Sequence, residues 1–183
     1  MQLPDRKILE QIIIPYFDNG SVCFVGINKK TKYYQDLFKN QVVIIDLDKF
    51  IIKNQNCLFI QTDLKDLPKV YDKKFSCIIA NGLSNFGSDS KQSIEQCFEG
   101  AFSSLENNGI FIWGWADNDE RRVIDPIFIN HKFSMFIFPP LNSWRYSCLR
   151  NLNLSEKYDW TLEKIIKQNH TYDFYKKTKP HMS

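Results

Sequence analysis

Five short apolar runs, each followed by a stretch long enough for a helix, constrain this chain more than any other feature. They occupy residues 21–26, 42–46, 57–60, 75–80 and 110–115. Each is almost continuously apolar, as strands of a parallel sheet are when both faces are covered. The segments between them carry helical patterning. Over residues 90–105, Ile94, Cys97, Phe98, Ala101, Phe102 and Leu105 fall on one stripe. Asp89 is placed to cap the start of that helix, with Gln92 three residues on, and Asn107-Asn108-Gly109 to end it. Residues 4–14 read as an amphipathic N-terminal helix within residues 1–20, with Pro15 as its stop. Residues 31–39 carry Tyr34, Leu37 and Phe38 toward the sheet. A weaker helical pattern over 119–129 is interrupted by Pro126. Residues 132–138 predict a sixth strand, and the alternation over 171–175 predicts a last one. The whole reads as an α/β sandwich with a mainly parallel sheet and right-handed crossovers.

At 183 residues this is one domain, 1–183. Its 24 basic and 21 acidic residues give a net charge of +3, too even to argue for nucleic acid, and no nucleic-acid partner is expected. The lysine pairs Lys29-Lys30, Lys73-Lys74 and Lys176-Lys177 read as solvated surface. The five cysteines have no C-x-x-C spacing, which argues against structural zinc, and no metal is expected. Most sit in apolar runs, as buried thiols of a reducing compartment do. There is no apolar run of membrane-spanning length and no signal-peptide pattern, so a cytoplasmic protein without membrane contact is expected. Only seven glycines are present, and no G-x-G occurs among them. The dinucleotide fingerprint is therefore absent. Gly82 and Gly87 have the Walker A spacing, but Ser88 stands where that motif needs lysine.

In sheets of this kind ligands bind beyond the carboxyl ends of the strands, at the point where strand order reverses. Glycine or polar residues stand at those ends. Gly26 follows the first strand and lets the backbone approach a ligand. Asp46 ends the second strand, 20 residues later, and can accept from a ribose diol or cap a helix. Asp63 follows the third strand, Asn81-Gly82 ends the fourth, and Gly114-Trp115 ends the fifth.

Taken in order, these segments resemble the class I S-adenosylmethionine-dependent methyltransferases. Ser21-Val22-Cys23-Phe24-Val25-Gly26 is similar to that family's first motif, and Val43-Ile44-Ile45-Asp46-Leu47-Asp48 to its acidic second. Phe59-Ile60-Gln61-Thr62-Asp63-Leu64-Lys65-Asp66-Leu67-Pro68 resembles the third, and Phe75-Ser76-Cys77-Ile78-Ile79-Ala80-Asn81-Gly82 the fourth. Leu105 through Trp115 resembles the turn and fifth strand, and His170 through Tyr175 the antiparallel last strand. The likeness implies a three-layer Rossmann-like sandwich, with a mostly parallel seven-stranded sheet and an antiparallel last strand.

It also implies S-adenosylmethionine as cofactor and methyl transfer to a small-molecule acceptor. Gly26 would lie against the methionine part, and Asp46 would hold the ribose. Asp63 and Leu64 would read the adenine, and Asn81 would lie beside the cofactor facing the acceptor. The chain departs from the family where Gly26-Ile27-Asn28-Lys29-Lys30-Thr31 lacks the usual further glycines. Residues 139–169 are longer than a hairpin needs and are expected to cover the acceptor site. Trp115, Asp117, Arg145 and Tyr146 are its candidate binding residues. Asp117, His131 and His170 are within reach as bases, and none is assigned. A methyltransferase-like module that no longer methylates and a different nucleotide-dependent α/β enzyme remain alternatives.

Overall fold

A computed structural model of the chain describes residues 4–27, 31–49, 51–82, 90–117, 125–126, 132–153 and 165–178. The five apolar runs form parallel strands: β1 (Val22–Val25), β2 (Val42–Asp46), β3 (Cys57–Gln61), β4 (Phe75–Asn81) and β5 (Leu105–Asp117). Three more strands follow: β6 (Phe133–Met135), β7 (Arg145–Asn153) and β8 (Ile165–Lys177). The order is β3-β2-β1-β4-β5-β8-β6, and β7 shares with β6 the far edge of β8. β8 runs antiparallel to β5. The fold is a Rossmann-like sandwich, with the order reversing between β1 and β4. Among the described residues the sheet has eight strands, not the seven expected. The extra one is β7, inside the segment expected to be a cover. Its nine residues pair with β8 along one side, and that pairing satisfies the backbone groups that face β8.

One core lies on each face of the sheet. Helix α4 (Lys91–Ser104) covers the first with the short helix α3 (Leu67–Val70). Ile94, Cys97, Phe98 and Ala101 of the predicted stripe are buried there. The Phe98 ring meets Phe111, Trp113, Phe133 and Tyr175 at centroid distances of 5.0–5.9 Å. The N-cap is Ser90, whose Oγ accepts from the Ser93 N–H at 3.1 Å. Asp89, the expected cap, lies outside the described residues. The helix gives way directly to β5, whose Leu105 already pairs with Phe75, so the turn of Asn107-Asn108-Gly109 falls within the strand. Asn108, not Gly109, takes the left-handed conformation there, with φ 65°. Two of the lysines read as solvated surface, exposed Lys74 and half-buried Lys177, also hold the helix's end. Lys74 Nζ donates to the Ser103 carbonyl at 2.5 Å, and Lys177 Nζ to those of Phe102 and Leu105 at 2.6 and 2.7 Å. Cations suit that end of a helix, where carbonyls lack partners.

The N-terminal segment and a 3-10 helix (Lys32–Leu37) cover the second face. The N-terminal segment runs through Pro15 instead of stopping there. It comprises α1 (Pro4–Ile8), a π-helical turn (Leu9–Ile13) and α2 (Ile14–Phe17). Pro15 sits in the first turn of α2, where its missing N–H costs no bond, and the wider π turn precedes it. Leu9, Ile13 and Ile14 pack into one core with Phe24, Tyr34 and Phe38. The expected helix over 119–129 falls almost wholly outside the described residues. No described helix is long and apolar enough to cross a membrane.

Candidate active site

Strand register carries the site. Val25 pairs with Ile45 and Ala80, Asp46 with Gln61, and Asn81 with Gly114, which pairs in turn with Tyr172. Tyr172 pairs with Tyr146 of β7. Phe24, Ile44, Ile79, Ile112 and Phe174 all point into the core under the N-terminal segment. Side chains alternate along a strand, so two residues further on the same face is presented again. Asp46, Asn81, Gly114, Tyr172 and Tyr146 therefore form one row on that face, and Gly26 closes it between Asp46 and Asn81. The row crosses the carboxyl edge of the parallel strands at the reversal of strand order.

Gly26 has φ 89° and continues the sheet through its N–H to the Ile45 carbonyl at 3.1 Å. The left-handed turn aims the next amide back at β2. Ile27 N–H donates to Asp46 Oδ2 at 2.8 Å, and Asp48 N–H to Asp46 Oδ1 at 2.8 Å. A carboxylate offers about four lone-pair positions, so half remain for a ligand. The altered stretch after Ile27, from Asn28 to Lys30, lies outside the described residues. Asp63 follows β3, where its Oδ1 accepts the Asp66 N–H at 2.9 Å and its Oδ2 lies 3.1 Å from Lys65 Nζ. Leu64 is buried in the α4-side core. Its carbonyl lies so near α4 that a Cβ on Gly100 would come within 2.0 Å of it. Asn81 ends β4, and its Oδ1 lies 3.1 Å from Nε2 of His170, which is buried. A Cβ on Gly114 would fall 2.6 Å from that Oδ1 and 2.9 Å from the Tyr172 ring.

The other candidates divide between the two faces. Tyr146 is in the row. Arg145, one residue earlier, is on the opposite face, as is Trp115. Arg145 Nε and Nη2 donate to Asp173 at 2.6 and 2.8 Å, and Nη1 and Nη2 to Asp125 at 2.9 and 2.7 Å. Four of the five N–H groups of a guanidinium are thus engaged. Asp173 is fully buried and also accepts from Trp115 Nε1 and Tyr175 Oη, each at 3.1 Å. The guanidinium lies between the rings of Trp115 and Trp144, at 5.4 and 4.6 Å. Burial raises the Asp173 carboxyl above the usual range against the pull of Arg145, Tyr175 and Trp115. Burial pulls Arg145 down, but its two carboxylates outweigh this and hold it above its ordinary value. Arg145, expected to bind an acceptor, is occupied by this network instead. Asp117 ends β5 opposite Asn169. His131 lies outside the described residues.

Tyr172 was not anticipated. The alternation of 171–175 marked its strand but not the face it would take. Cys23 and Cys77 are buried free thiols, and burial pushes both well up, away from nucleophilic use. Among the described residues no cluster could hold a metal ion.

No family model matches this chain, and no curated protein does. Solved structures are similar in fold. N-methyltransferase NodS from Bradyrhizobium japonicum WM9 has a TM-score of 0.65 at 9% identity, over 96% of this chain and 97% of that one. NodS in complex with S-adenosyl-L-homocysteine has a TM-score of 0.64, also at 9% identity, over 96% and 89%. PH1948 from Pyrococcus horikoshii, described as a putative RNA methyltransferase, has 0.61 at 15% identity, over 97% and 87%. An rRNA methylase from Streptococcus thermophilus has 0.51 at 12% identity, over 94% and 95%. These likenesses establish the methyltransferase fold. They also overturn the expectation of no nucleic-acid partner. The same fold serves proteins described as acting on RNA, so an even net charge does not exclude an RNA acceptor.

Proposed function

We propose that this chain is an S-adenosylmethionine-dependent methyltransferase. The observation that carries the proposal is the row Asp46, Gly26, Asn81 at the reversal of strand order, with the Asp46 carboxylate held by two backbone N–H groups. The donor set suits the cofactor. Asp46 keeps lone pairs for the ribose hydroxyls, and Gly26 has no Cβ to keep the methionine part away. Asp63 and Leu64 follow the neighbouring strand, where the adenine would lie. Binding by NodS of S-adenosyl-L-homocysteine supports the same ligand here.

When bound, the cofactor supplies an electrophilic methyl group. The protein's share is alignment, because a correctly oriented pair of reactants needs little further chemistry. The acceptor lies against Asn81 and Tyr146, both partly exposed, with the buried Tyr172 ring packed behind them, a surface that suits a flat polar group. A small molecule and an exposed RNA base both fit that description. The network around Arg145 lies behind the sheet and frames the site without touching the acceptor. The five free thiols support a reducing, cytoplasmic setting.

Calorimetry with S-adenosylhomocysteine tests the reading. Micromolar binding is expected, with a loss of about 30-fold or more in Asp46→Ala, since that change removes charge-assisted bonds worth about 2 kcal/mol. Absence of binding up to millimolar concentration refutes it. That outcome supports the non-methylating module, the reading favoured by Ile27-Asn28-Lys29-Lys30 where the family has glycines.

A further inference from the structure

We infer that His170 is a positioning residue that decides which half of the Asn81 carboxamide meets the methyl acceptor. It thereby selects acceptors that offer Asn81 a lone pair. This deepens the methyl-transfer reading and rests on it.

Asn81 Oδ1 can only accept a hydrogen bond, so the His170 Nε2 at 3.1 Å must carry the proton. Three strands hold this arrangement. Gly114 of β5 leaves room for the carboxamide, since a Cβ there would fall 2.6 Å from Asn81 Oδ1. Tyr172 of β8 walls the same space, with its ring 2.9 Å from that Cβ position. The His170 ring meets Tyr172 edge-on at a centroid distance of 4.8 Å. His170 is 4% exposed, so water does not compete for its proton.

With Oδ1 committed to β8, Asn81 presents Nδ2 and its two N–H donors away from His170. Asn81 is half-buried and ends β4 in the row, so its side chain is partly within reach of a ligand. A carbonyl oxygen, an unprotonated ring nitrogen or a phosphate oxygen can accept from Nδ2. A protonated amine or a ring N–H, which has no lone pair to offer, cannot. A carboxamide with both halves available could pair with the adenine edge through N7 and the N6 amino group together. Here Oδ1 is turned to His170 and Nδ2 is the half turned away from it, so Asn81 anchors a lone pair beside the methylated atom.

Long-range proton–nitrogen correlation spectra of the full chain at about pH 8, where an ordinary histidine is neutral, decide the orientation. The Nε2–H form of His170 is expected. The Nδ1–H form overturns the inference, because Asn81 would then donate to His170 and turn Oδ1 to the site. Two variants test the consequence: His170→Gln, which keeps a donor at the position of Nε2, and His170→Leu, which removes it. Tritium transfer from labelled S-adenosylmethionine is measured into the small-molecule and RNA fractions of a cell extract. Loss of one such hydrogen bond is worth about tenfold, so His170→Leu should fall by about that factor and His170→Gln should stay within about threefold. Affinity for S-adenosylhomocysteine should change by less than about threefold in both. Unchanged transfer in His170→Leu, or an equal fall in both variants, overturns the positioning role. Failure of the wild-type chain to bind S-adenosylhomocysteine refutes the methyl-transfer reading instead, while the spectra still decide the orientation.

Discussion

At the carboxyl edge of the sheet the two faces carry similar residues in opposite states. On one face Asp46, Asn81 and Tyr146 stand in a row, with the buried Tyr172 between them, and the Asp46 carboxylate keeps hydrogen-bonding capacity. On the other, Arg145, Asp173, Asp125, Trp115 and Tyr175 bond to one another until little remains. Aromatic rings and charged groups occur on both, so residue type does not tell them apart. Saturation does. A guanidinium that already makes four charge-assisted bonds has little capacity left for a ligand. A carboxylate held by two backbone amides is fixed in place and still open.

Arg145→Ala should break the comparison most severely. It strands a fully buried carboxylate, Asp173, without a counter-ion. The cost is about 3 kcal/mol, the low end for breaking a buried pair, because the Arg145 side chain keeps 25% exposure. The sign with pH follows from Asp173. Its carboxyl is already raised in the folded state, and removing Arg145 raises it further. A raised carboxyl favours the folded state while protonated, and that favour is lost as pH rises through the folded value. Denaturant melts of the variant should therefore show a deficit that widens from the carboxylate range toward neutrality. A deficit independent of pH would mean that Asp173 is not the group left exposed to the loss.

Gly100→Ala comes next and links the faces. The added Cβ would meet the Leu64 carbonyl at 2.0 Å and the Lys65 Cα at 2.8 Å. These are backbone atoms, which cannot rotate away, so the loss should reach about 2–3 kcal/mol. The segment that must shift carries Asp63. Affinity for S-adenosylhomocysteine should fall along with stability. A variant that loses stability but binds normally would remove Asp63 from the proposed site.

What could be read from the sequence, and what could not, follows the same division. Runs such as Val42-Val43-Ile44-Ile45 are apolar throughout because both faces of a central parallel strand are buried, and this makes β1, β2, β4 and β5 legible. The same continuity hid the phase. An unbroken apolar run does not say which face its last residue will take, so Arg145, Trp115 and Tyr146 could not be sorted. β7 was missed because it is an edge strand, and Arg145-Tyr146-Ser147-Cys148-Leu149 alternates too weakly to stand out from a loop. The positions of Asp46 and Asn81 at strand ends are legible because a polar residue ending an apolar run needs no phase to be noticed. Lys74 and Lys177 were read as surface charge because a helix end formed by distant residues leaves no local mark.

Gly114→Ala is the mildest change to the fold and the most direct test of the open face. Its Cβ would fall 2.6 Å from Asn81 Oδ1 and 2.9 and 3.2 Å from the Tyr172 ring. Both neighbours are side chains and can give, so stability should fall by only about 1 kcal/mol. The carboxamide that gives is the one held by His170, and moving it breaks the 3.1 Å bond to Nε2. Methyl transfer should then drop by about tenfold, the worth of one lost hydrogen bond, in a protein that melts nearly normally and still binds S-adenosylhomocysteine. Gly100→Ala damages the closed face and should cost stability and cofactor together, whereas Gly114→Ala should separate activity from both. If Gly114→Ala instead destabilises the chain as much as Gly100→Ala, the Asn81 slot is packed as tightly as the Arg145 network. The row would then be a second closed face, without the freedom to take an acceptor.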